Sequence, residues 1–468
     1  MFRRHSQTIV LSLILILAAT LRFYRLPDMA RYNFDQAYAS DFVWNVVKVY
    51  PIQMVGQGLS VMGLFMGPWY FYFLVPFYLL TGLHPLGGYI ASVIIGLATV
   101  ITYFFVARHF FGSRAGLLAA FIQAISLDAV YTDWQMTPAF SSTMVALLTW
   151  YLFHLYWQGK THTLPYLAFI FGLYTSFHPI QFPFYLVFLF LFLTKHHLPS
   201  LKTTLLSLVA FLLPVSPLLA FEYFRKFAMF RQLVAMFTTS SASAPTNLFR
   251  LNYFAKLLPL HFFNAVGLPS IPSILLIVTT LLVLLYISFG RRLAKYRSFH
   301  LTLLPVTFVV FFAYYAVYPG NVSEYYYNAL FTLTFLYFVA FLSSFSHHRL
   351  GQALIIILLV NATLYTLAQL NGNWTSSHRQ NLADKDAIVK RIIQYQKKYP
   401  TSEFFVSHIA LPGTNFGYDY LFRLYGYIPQ TRAAVDPIYT IVSPSSLSPD
   451  SIRFSSGALG LIPPNGYQ

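Results

Sequence analysis

Acidic side chains that could serve as general bases are scarce in this sequence, and three of them lie close together. The chain has 13 Asp and Glu residues among 468, yet Asp28, Asp35 and Asp41 fall within fourteen positions of one another. Asn33 and Gln36 have the spacing of a capping box, which predicts a helix with Asp35 in its first turn. The helix dipole alone favours an acid there, so a structural role and a role as general base are both open.

The spacing of the two later acids does not specify a metal site. Asp35 and Asp41 are six residues apart, which places them on different faces of a helix. Asp41 instead shares a face with Trp44, Asn45 and Lys48. We therefore take Asp41 as a second acid candidate and Lys48 as a candidate phosphate ligand.

A second charged cluster follows a Pro-interrupted apolar segment, in the stretch "PVSPLLAFEYFRKFAMFRQ". Glu222 precedes Arg225 by three residues and Lys226 by four, a spacing that forms ion pairs on a helix surface. Together with Arg231, the same cations could instead bind a phosphate or diphosphate. This segment alone gives the two interpretations similar weight, and Glu222 joins the acid candidates.

The composition indicates which kind of protein must position these residues. The chain is 57% hydrophobic, 19% aromatic and 9% charged, and its mean hydropathy is +0.59, which predicts an integral membrane protein. The net charge of +17 comes from short basic clusters between apolar segments, as orientation signals do, so nucleic acid is not an expected partner. The absence of cysteine removes disulfide and thiolate chemistry.

Apolar segments predict about eleven membrane spans, each formed by roughly 20 residues. The expected spans lie near residues 7–24, 87–107, 115–131, 139–157, 164–178, 182–194, 204–221, 271–289, 301–318, 326–345 and 350–369. With the N-terminus cytoplasmic, the cytoplasmic connections carry Arg and Lys but no Asp or Glu, and the external segments hold every acid. The sequence thus predicts a multi-pass protein of the cell membrane, with its acids outside.

Two external segments accompany these spans. Residues 25–86 form the first external loop, and within it "GPWYFYFLVPFYLLTG" (67–82) is expected to be a juxtamembrane or re-entrant helix, because its 16 residues reach only about 24 Å and Pro76 interrupts them. Residues 1–370 form the membrane domain. Residues 371–468 are expected to form a small external α/β domain, with a helix near 384–398 and a strand at "EFFVSHIA".

Two more residues fall on the predicted external face. His178 in "SFHPIQFP" and Tyr326 in "SEYYYNALF" lie at ends of expected spans. Aromatic and histidine side chains are common at membrane interfaces without any function. Each could also contact the phosphate or sugar of a substrate.

The order of these motifs resembles that of the GT-C membrane glycosyltransferases. The type most similar is glycosyltransferase family 39, which includes protein O-mannosyltransferases and lipid A aminoarabinose transferases. The resemblance spans roughly residues 20–345 and is carried by "FDQAYASDF", "MGPWYFYFLVPFYLLTGLHPLGGY", "ARHFFGSRAGLLAA", "YTDWQMTPAF", "FHPIQFP", "SPLLAFEYFRKF" and "SEYYYNALF".

The resemblance implies inverting transfer of a sugar from a polyprenyl-phosphate donor to a glycan, lipid or protein acceptor, outside the membrane of a bacterial cell. Asp35 matches the first-loop acid that would act as general base, and Arg225, with Lys226 and Arg231, would hold the lipid phosphate. Many relatives have Asp-Glu where this chain has Asp35 and Gln36, and one carboxylate with neutral neighbours binds a divalent metal weakly. We therefore assign no metal or other cofactor.

Two other functions use similar features. A flippase or transporter of lipid-linked glycans would also need external cations, but transporters carry polar residues near mid-membrane and related halves. The sequence has almost no mid-span charge and no visible duplication, which favours catalysis. An envelope polymerase or ligase that acts on lipid-linked glycans differs mainly in its donor and stays an alternative.

Overall fold

The structure is mostly helical, with a small sheet in its C-terminal part. It is a computed structural model that describes residues 2–59, 61–238, 265, 267–268, 295–318, 322–371, 381–431 and 436–464. The described helices, numbered in chain order, are α1 Phe2–Phe23, α2 Leu26–Met29, α3 Phe34–Lys48, α4 Trp69–Leu80, α5 Leu86–Phe111, α6 Ser113–Ile125, α7 Leu127–Asp133, α8 Ser142–Trp157, α9 Leu164–Phe177, α10 Pro183–Lys195, α11 Leu201–Phe224, α12 Ala228–Thr238, α13 Arg297–Val317, α14 Asn328–Ser344, α15 Arg349–Asn371, α16 Leu382–Lys398 and α17 Tyr418–Leu424. The strands are β1 Phe405–Ala410, β2 Ile438–Ser443, β3 Phe454–Ser456 and β4 Leu459–Ile462.

Several helices are long and apolar enough to cross a membrane. Six described segments qualify: His5–Phe23, Leu86–Phe111, Leu201–Phe224, Arg297–Val317, Tyr325–His347 and Arg349–Asn371. The helices α6 and α7 meet at 64° and together would form a seventh span. The multi-pass architecture is therefore confirmed. Eleven spans stay a prediction, because the expected spans at 139–157, 164–178 and 182–194 form helices of 16, 14 and 13 residues and the one at 271–289 lies outside the described residues.

The first loop contains α3, which bears Asp35 and Asp41, and α4, which packs against it. The helix α4 has 12 residues with Pro76 inside it, so it extends only about 18 Å and is too short to cross about 30 Å of hydrocarbon. This length agrees with the expected juxtamembrane or re-entrant helix. Its Phe71 packs against Tyr38 and Phe42 of α3, with ring centroids 5.5 and 5.1 Å apart.

The C-terminal residues form the α/β unit that the sequence predicts. The helix α16 is capped by Asn381, whose side-chain oxygen accepts a hydrogen bond from Asp384 N at 2.7 Å, as an N-cap residue does. The strands form one sheet in the order β1-β2-β4-β3, with β1 and β2 parallel and the other pairs antiparallel. The predicted helix and strand are thus confirmed, whereas the external location of this unit stays a prediction.

One hydrophobic core joins the first loop to the C-terminal unit. It includes Phe42 and Val43 of α3, Tyr70, Phe71 and Leu74 of α4, Ile388 and Ile392 of α16 and Tyr420 and Leu421 of α17. The helix α3 therefore lies between α4 and the C-terminal unit, and both sides determine where its first turn sits.

Candidate functional site

A cavity of about 510 Å³ lies where the first loop meets the helix ends. Its described wall is mostly aromatic and apolar, and Asp35 is the one Asp, Glu, Lys or Arg side chain in that wall. The lining residues come from Asp35 itself, the loop residues 57–66, the turn at 137–140, the α9–α10 connection, α11, α12 and the tyrosines around 314–326. A carboxylate in such a partly open, largely apolar cavity is suited to acid–base chemistry on a bound substrate.

Asp35 is placed by the capping box that begins α3. The backbone N–H of Asn33 donates to Gln36 Oε1 at 3.0 Å, and the Gln36 amide also donates to the backbone oxygen of Gln135. Gln36 is 3% exposed. The oxygen of its side-chain amide accepts one hydrogen bond and the nitrogen donates another, as buried polar atoms require. Glutamine at this position therefore anchors the helix, while Asp35 next to it is exposed to the cavity.

A hairpin in the first loop supplies a partner for Asp35. Gly56 N donates to Met66 O at 2.7 Å and Met66 N donates to Gln57 O at 2.9 Å, which brings the Gln57 side chain to the cavity wall. Its Nε2 donates to Asp35 Oδ1 at 2.6 Å. Hydrogen bonds to a carboxylate are among the stronger ones in proteins, so Gln57 orients the Asp35 carboxylate.

The hairpin is fixed on the end of α9 by a close backbone contact. Gly67 N donates to Thr175 O at 2.8 Å. A Cβ atom at Gly67 would lie 2.3 Å from Ser176 Oγ, so only glycine allows this approach without movement of the neighbours.

Aromatic rings form the cavity wall beside His178 and Tyr326. The His178 ring lies 5.9 Å from the Tyr326 ring and 5.6 Å from the Tyr325 ring. The His178 Nδ1 accepts a hydrogen bond from Ile180 N at 3.3 Å, which fixes the ring at the turn between α9 and α10. Both predicted residues line the cavity together with Asp35.

Two other predicted residues of α3 lie away from the cavity wall. The Asp41 carboxylate forms an ion pair with Arg423 of α17, so it faces the C-terminal unit. Lys48 is the exposed last residue of α3, about 20 Å along the helix from Asp35. Neither residue is among those that line the described cavity wall.

The charged cluster after α11 borders the cavity without lining its described wall. Glu222 accepts hydrogen bonds from Met229 N at 3.0 Å and Phe230 N at 2.9 Å, so it caps the start of α12, and α12 in turn contributes Met229 and Leu233 to the cavity wall. Within the described residues, no ion pair joins Glu222 to Arg225 or Lys226.

The three cations of this cluster are exposed. The Arg225 guanidinium lies 5.5 Å from the centre of the Phe221 ring, and Phe221 packs at 5.6 Å against Phe65, which lines the cavity. Arg225 is therefore connected to the cavity wall through Phe221 and Phe65, and Lys226 is its neighbour in the chain.

Sequence reasoning missed Gln57 and the tyrosines Tyr314, Tyr315 and Tyr318, which also line the cavity. The signals were weak: Gln57 stands between two glycines, and the three tyrosines fall inside the span expected at residues 301–318. Among the residues that the structure describes, no group of three or more His, Asp or Glu side chains could hold a metal ion.

Comparison with known proteins finds one family model and two similar solved structures. Residues 66–221 match the family model described as dolichyl-phosphate-mannose-protein mannosyltransferase. The whole chain also superposes on two crystal structures of ArnT from Cupriavidus metallidurans. The GT-C resemblance is confirmed. The ArnT structure bound to undecaprenyl phosphate gives a TM-score of 0.59 at 12% identity and covers 96% of this chain and 97% of ArnT.

The apo structure of ArnT gives a TM-score of 0.60 at 11% identity and covers 99% and 98% of the two chains. At these identities the superpositions establish a shared fold. No curated protein matches the chain in sequence. Much of the cavity wall, from Met66 through His178 to Leu218, falls within the residues that match the family model.

Proposed function

We propose that the protein is a glycosyltransferase that moves a sugar from a polyprenyl-phosphate donor to an acceptor on the external face of the bacterial cell membrane. One observation carries the proposal: Asp35, hydrogen-bonded by Gln57, lies in the wall of a cavity lined mostly by aromatic and apolar residues within a GT-C fold. The related ArnT is bound to undecaprenyl phosphate, which supports a lipid-phosphate donor. The acceptor is a glycan, lipid or protein with a hydroxyl group.

The chemistry needs a base near the acceptor and cations near the leaving group. Asp35 takes the proton from the acceptor hydroxyl, whose oxygen attacks the anomeric carbon of the donor sugar. The bond from that carbon to the phosphate oxygen breaks, and the polyprenyl phosphate leaves with the electron pair. Attack from the side opposite the leaving group inverts the anomeric configuration. Arg225, with Lys226 and Arg231, stabilises the negative charge that develops on the phosphate.

The cavity wall suits a sugar ring better than a phosphate. Aromatic rings such as those of Tyr326 and Tyr315 present flat apolar faces with polar edges, and sugar rings expose both C–H and hydroxyl groups. The lipid phosphate instead needs cations, which the described residues offer in the connection between α11 and α12. This arrangement supports a sugar inside the cavity and a phosphate at its mouth.

The test is transfer by Asp35→Asn. Membranes that contain the protein are supplied with radiolabelled polyprenyl-phosphate sugars, and the transfer of label from the lipid to other material is measured. D35N is expected to bind the donor but to lose more than about 100-fold in rate, because general base catalysis contributes about 10²–10⁴-fold.

Asp28→Asn is the matched control. Asp28 lies in the same loop, pairs with Arg25 at 3.2 Å and is half exposed, and it does not line the described cavity wall. D28N should transfer at the wild-type rate. Wild-type activity of D35N would overturn the assignment of Asp35, and no transfer from any polyprenyl-phosphate sugar would overturn the proposed donor.

A further inference from the structure

The helix that bears Asp35 is held by the C-terminal unit at two places. Before the helix starts, Leu382 N donates to Ala30 O at 2.9 Å, and Arg31 forms a β-bridge with Asn381. Further along, Asp41 pairs with Arg423. These contacts join segments that are more than 300 residues apart in the chain.

The contact at the start of α3 fixes its first turn. Phe34, which directly precedes Asp35, packs edge-on against Phe416 at 5.1 Å. Lys385 is fully buried, and its Nζ donates to Phe416 O at 2.7 Å, with Asn33 Oδ1 at 3.5 Å. The residues on either side of the N-cap therefore touch the C-terminal unit directly.

The contact at Asp41 is an ion pair that lies beside an aromatic ring. Arg423 pairs with the Asp41 carboxylate, and its guanidinium lies 4.9 Å from the centre of the Trp44 ring, one turn further along α3. Tyr420, on the same helix as Arg423, donates to Leu83 O at 2.5 Å and packs against Trp44 at 6.1 Å. α17 is thus attached both to α3 and to the loop before α5.

We infer that Asp41 and Arg423 are positioning residues, through which the C-terminal unit holds α3 so that Asp35 faces the cavity. This inference rests on the proposed function, because it concerns the geometry of the Asp35 base. Asp41 is not among the residues that line the described cavity wall, and its partner is the cation Arg423. The C-terminal unit is then a component of the active site, although it contributes no residue to the described wall.

The rate of the chemical step depends on how precisely the Asp35 carboxylate is positioned. A catalytic group that moves by about 1 Å can lose about 100-fold in rate. A rigid helix transmits rotation about its axis from Asp41 to Asp35, about 9 Å away. Loss of one partly exposed ion pair therefore has little effect on folding but a measurable effect on the rate of the chemical step.

The test is a charge exchange. Asp41→Asn and Arg423→Gln are each expected to lower kcat about tenfold and to leave KM for the donor within about twofold, while the thermal unfolding temperature stays near that of the wild type. The double variant D41R/R423D restores the pair with opposite polarity and should recover most of kcat. Arg453→Gln, the same substitution at an exposed position of the same unit, is the matched control and should behave as wild type.

The outcomes separate the inference from the proposed function. Wild-type kcat in D41N and R423Q overturns the inference. A charge-exchanged protein that is no faster than D41N also overturns it, because Asp41 would then take part in the chemistry itself. If D35N is fully active, the proposed base is wrong. The positioning role is then judged by hydrogen exchange of residues 34–41, which must be faster in R423Q than in R453Q for the inference to stand.

Discussion

Gln57 offers a sharp test of how the Asp35 carboxylate is oriented. Its Nε2 donates to Asp35 Oδ1 at 2.6 Å, and Gln57 itself is 9% exposed. Gln57→Leu keeps much of the side-chain volume and removes the donor. We expect the variant to fold and to bind the donor, but to transfer the sugar more slowly.

The magnitude follows from the hydrogen bond. A bond to a charged group contributes about 1.5–3 kcal/mol, and the lower value applies because Asp35 is exposed to the cavity. Since about 1.4 kcal/mol corresponds to a tenfold change in rate, kcat of Q57L should fall about tenfold. Gln57→Glu should fall further, because a second carboxylate would replace the donor beside Asp35.

The assay compares steady-state kcat and KM of Q57L with those of Gln53→Leu. Gln53 lies in the same loop but does not line the described cavity wall, so Q53L controls for a general effect on the loop. Wild-type kcat in Q57L would refute the view that this hydrogen bond orients the base. An equal loss in Q53L would attribute the effect to the loop as a whole.

Three further predictions concern stability and packing. Asp133 pairs at 2.6 Å with Arg22, which is fully buried. Asp133→Leu leaves this buried cation unpaired and should destabilise the protein by about 3–5 kcal/mol. The double variant R22M/D133L should unfold at a higher temperature in detergent than D133L does. Burial and nearby Arg31 lower the pKa of Lys385 well below its ordinary value of 10.5. Between that lowered pKa and 10.5, the folded protein binds fewer protons than the unfolded chain. The free energy of unfolding therefore rises with pH across this window. Thermal unfolding of Lys385→Met should lack this rise relative to the wild type, and an identical pH dependence would contradict the burial argument. Gly67→Ala should lower kcat because its Cβ would meet Ser176 Oγ at 2.3 Å, and G67A/S176A should recover part of the loss.

Local sequence patterns were sufficient to predict some of the elements that form the site. Asn33 and Gln36 predicted the start of α3 correctly because a capping box depends only on residues three apart. The α16 helix and the β1 strand were also predictable, since their hydrophobic periodicity is local. The membrane-protein class followed from composition alone.

The contacts that complete the site depend on how the chain folds back on itself. Glu222 caps α12 because the chain reverses at Lys226 and Phe227, with φ of 53° and 59°, a conformation that such residues rarely adopt. The pairing of Asp41 with Arg423 joins residues 382 positions apart. No spacing rule predicts the Asp41–Arg423 contact, because it forms only when the C-terminal unit packs on the first loop.

The most direct test of the proposed function is a structure of the protein with bound polyprenyl phosphate in a lipid nanodisc, determined by electron cryomicroscopy. We predict that the phosphate lies at the cavity mouth beside Arg225. The sugar-binding space between that phosphate and Asp35 should then be lined by His178 and Tyr326. A phosphate bound elsewhere, or a continuous passage that opens to both sides of the membrane, would contradict the assignment as a glycosyltransferase.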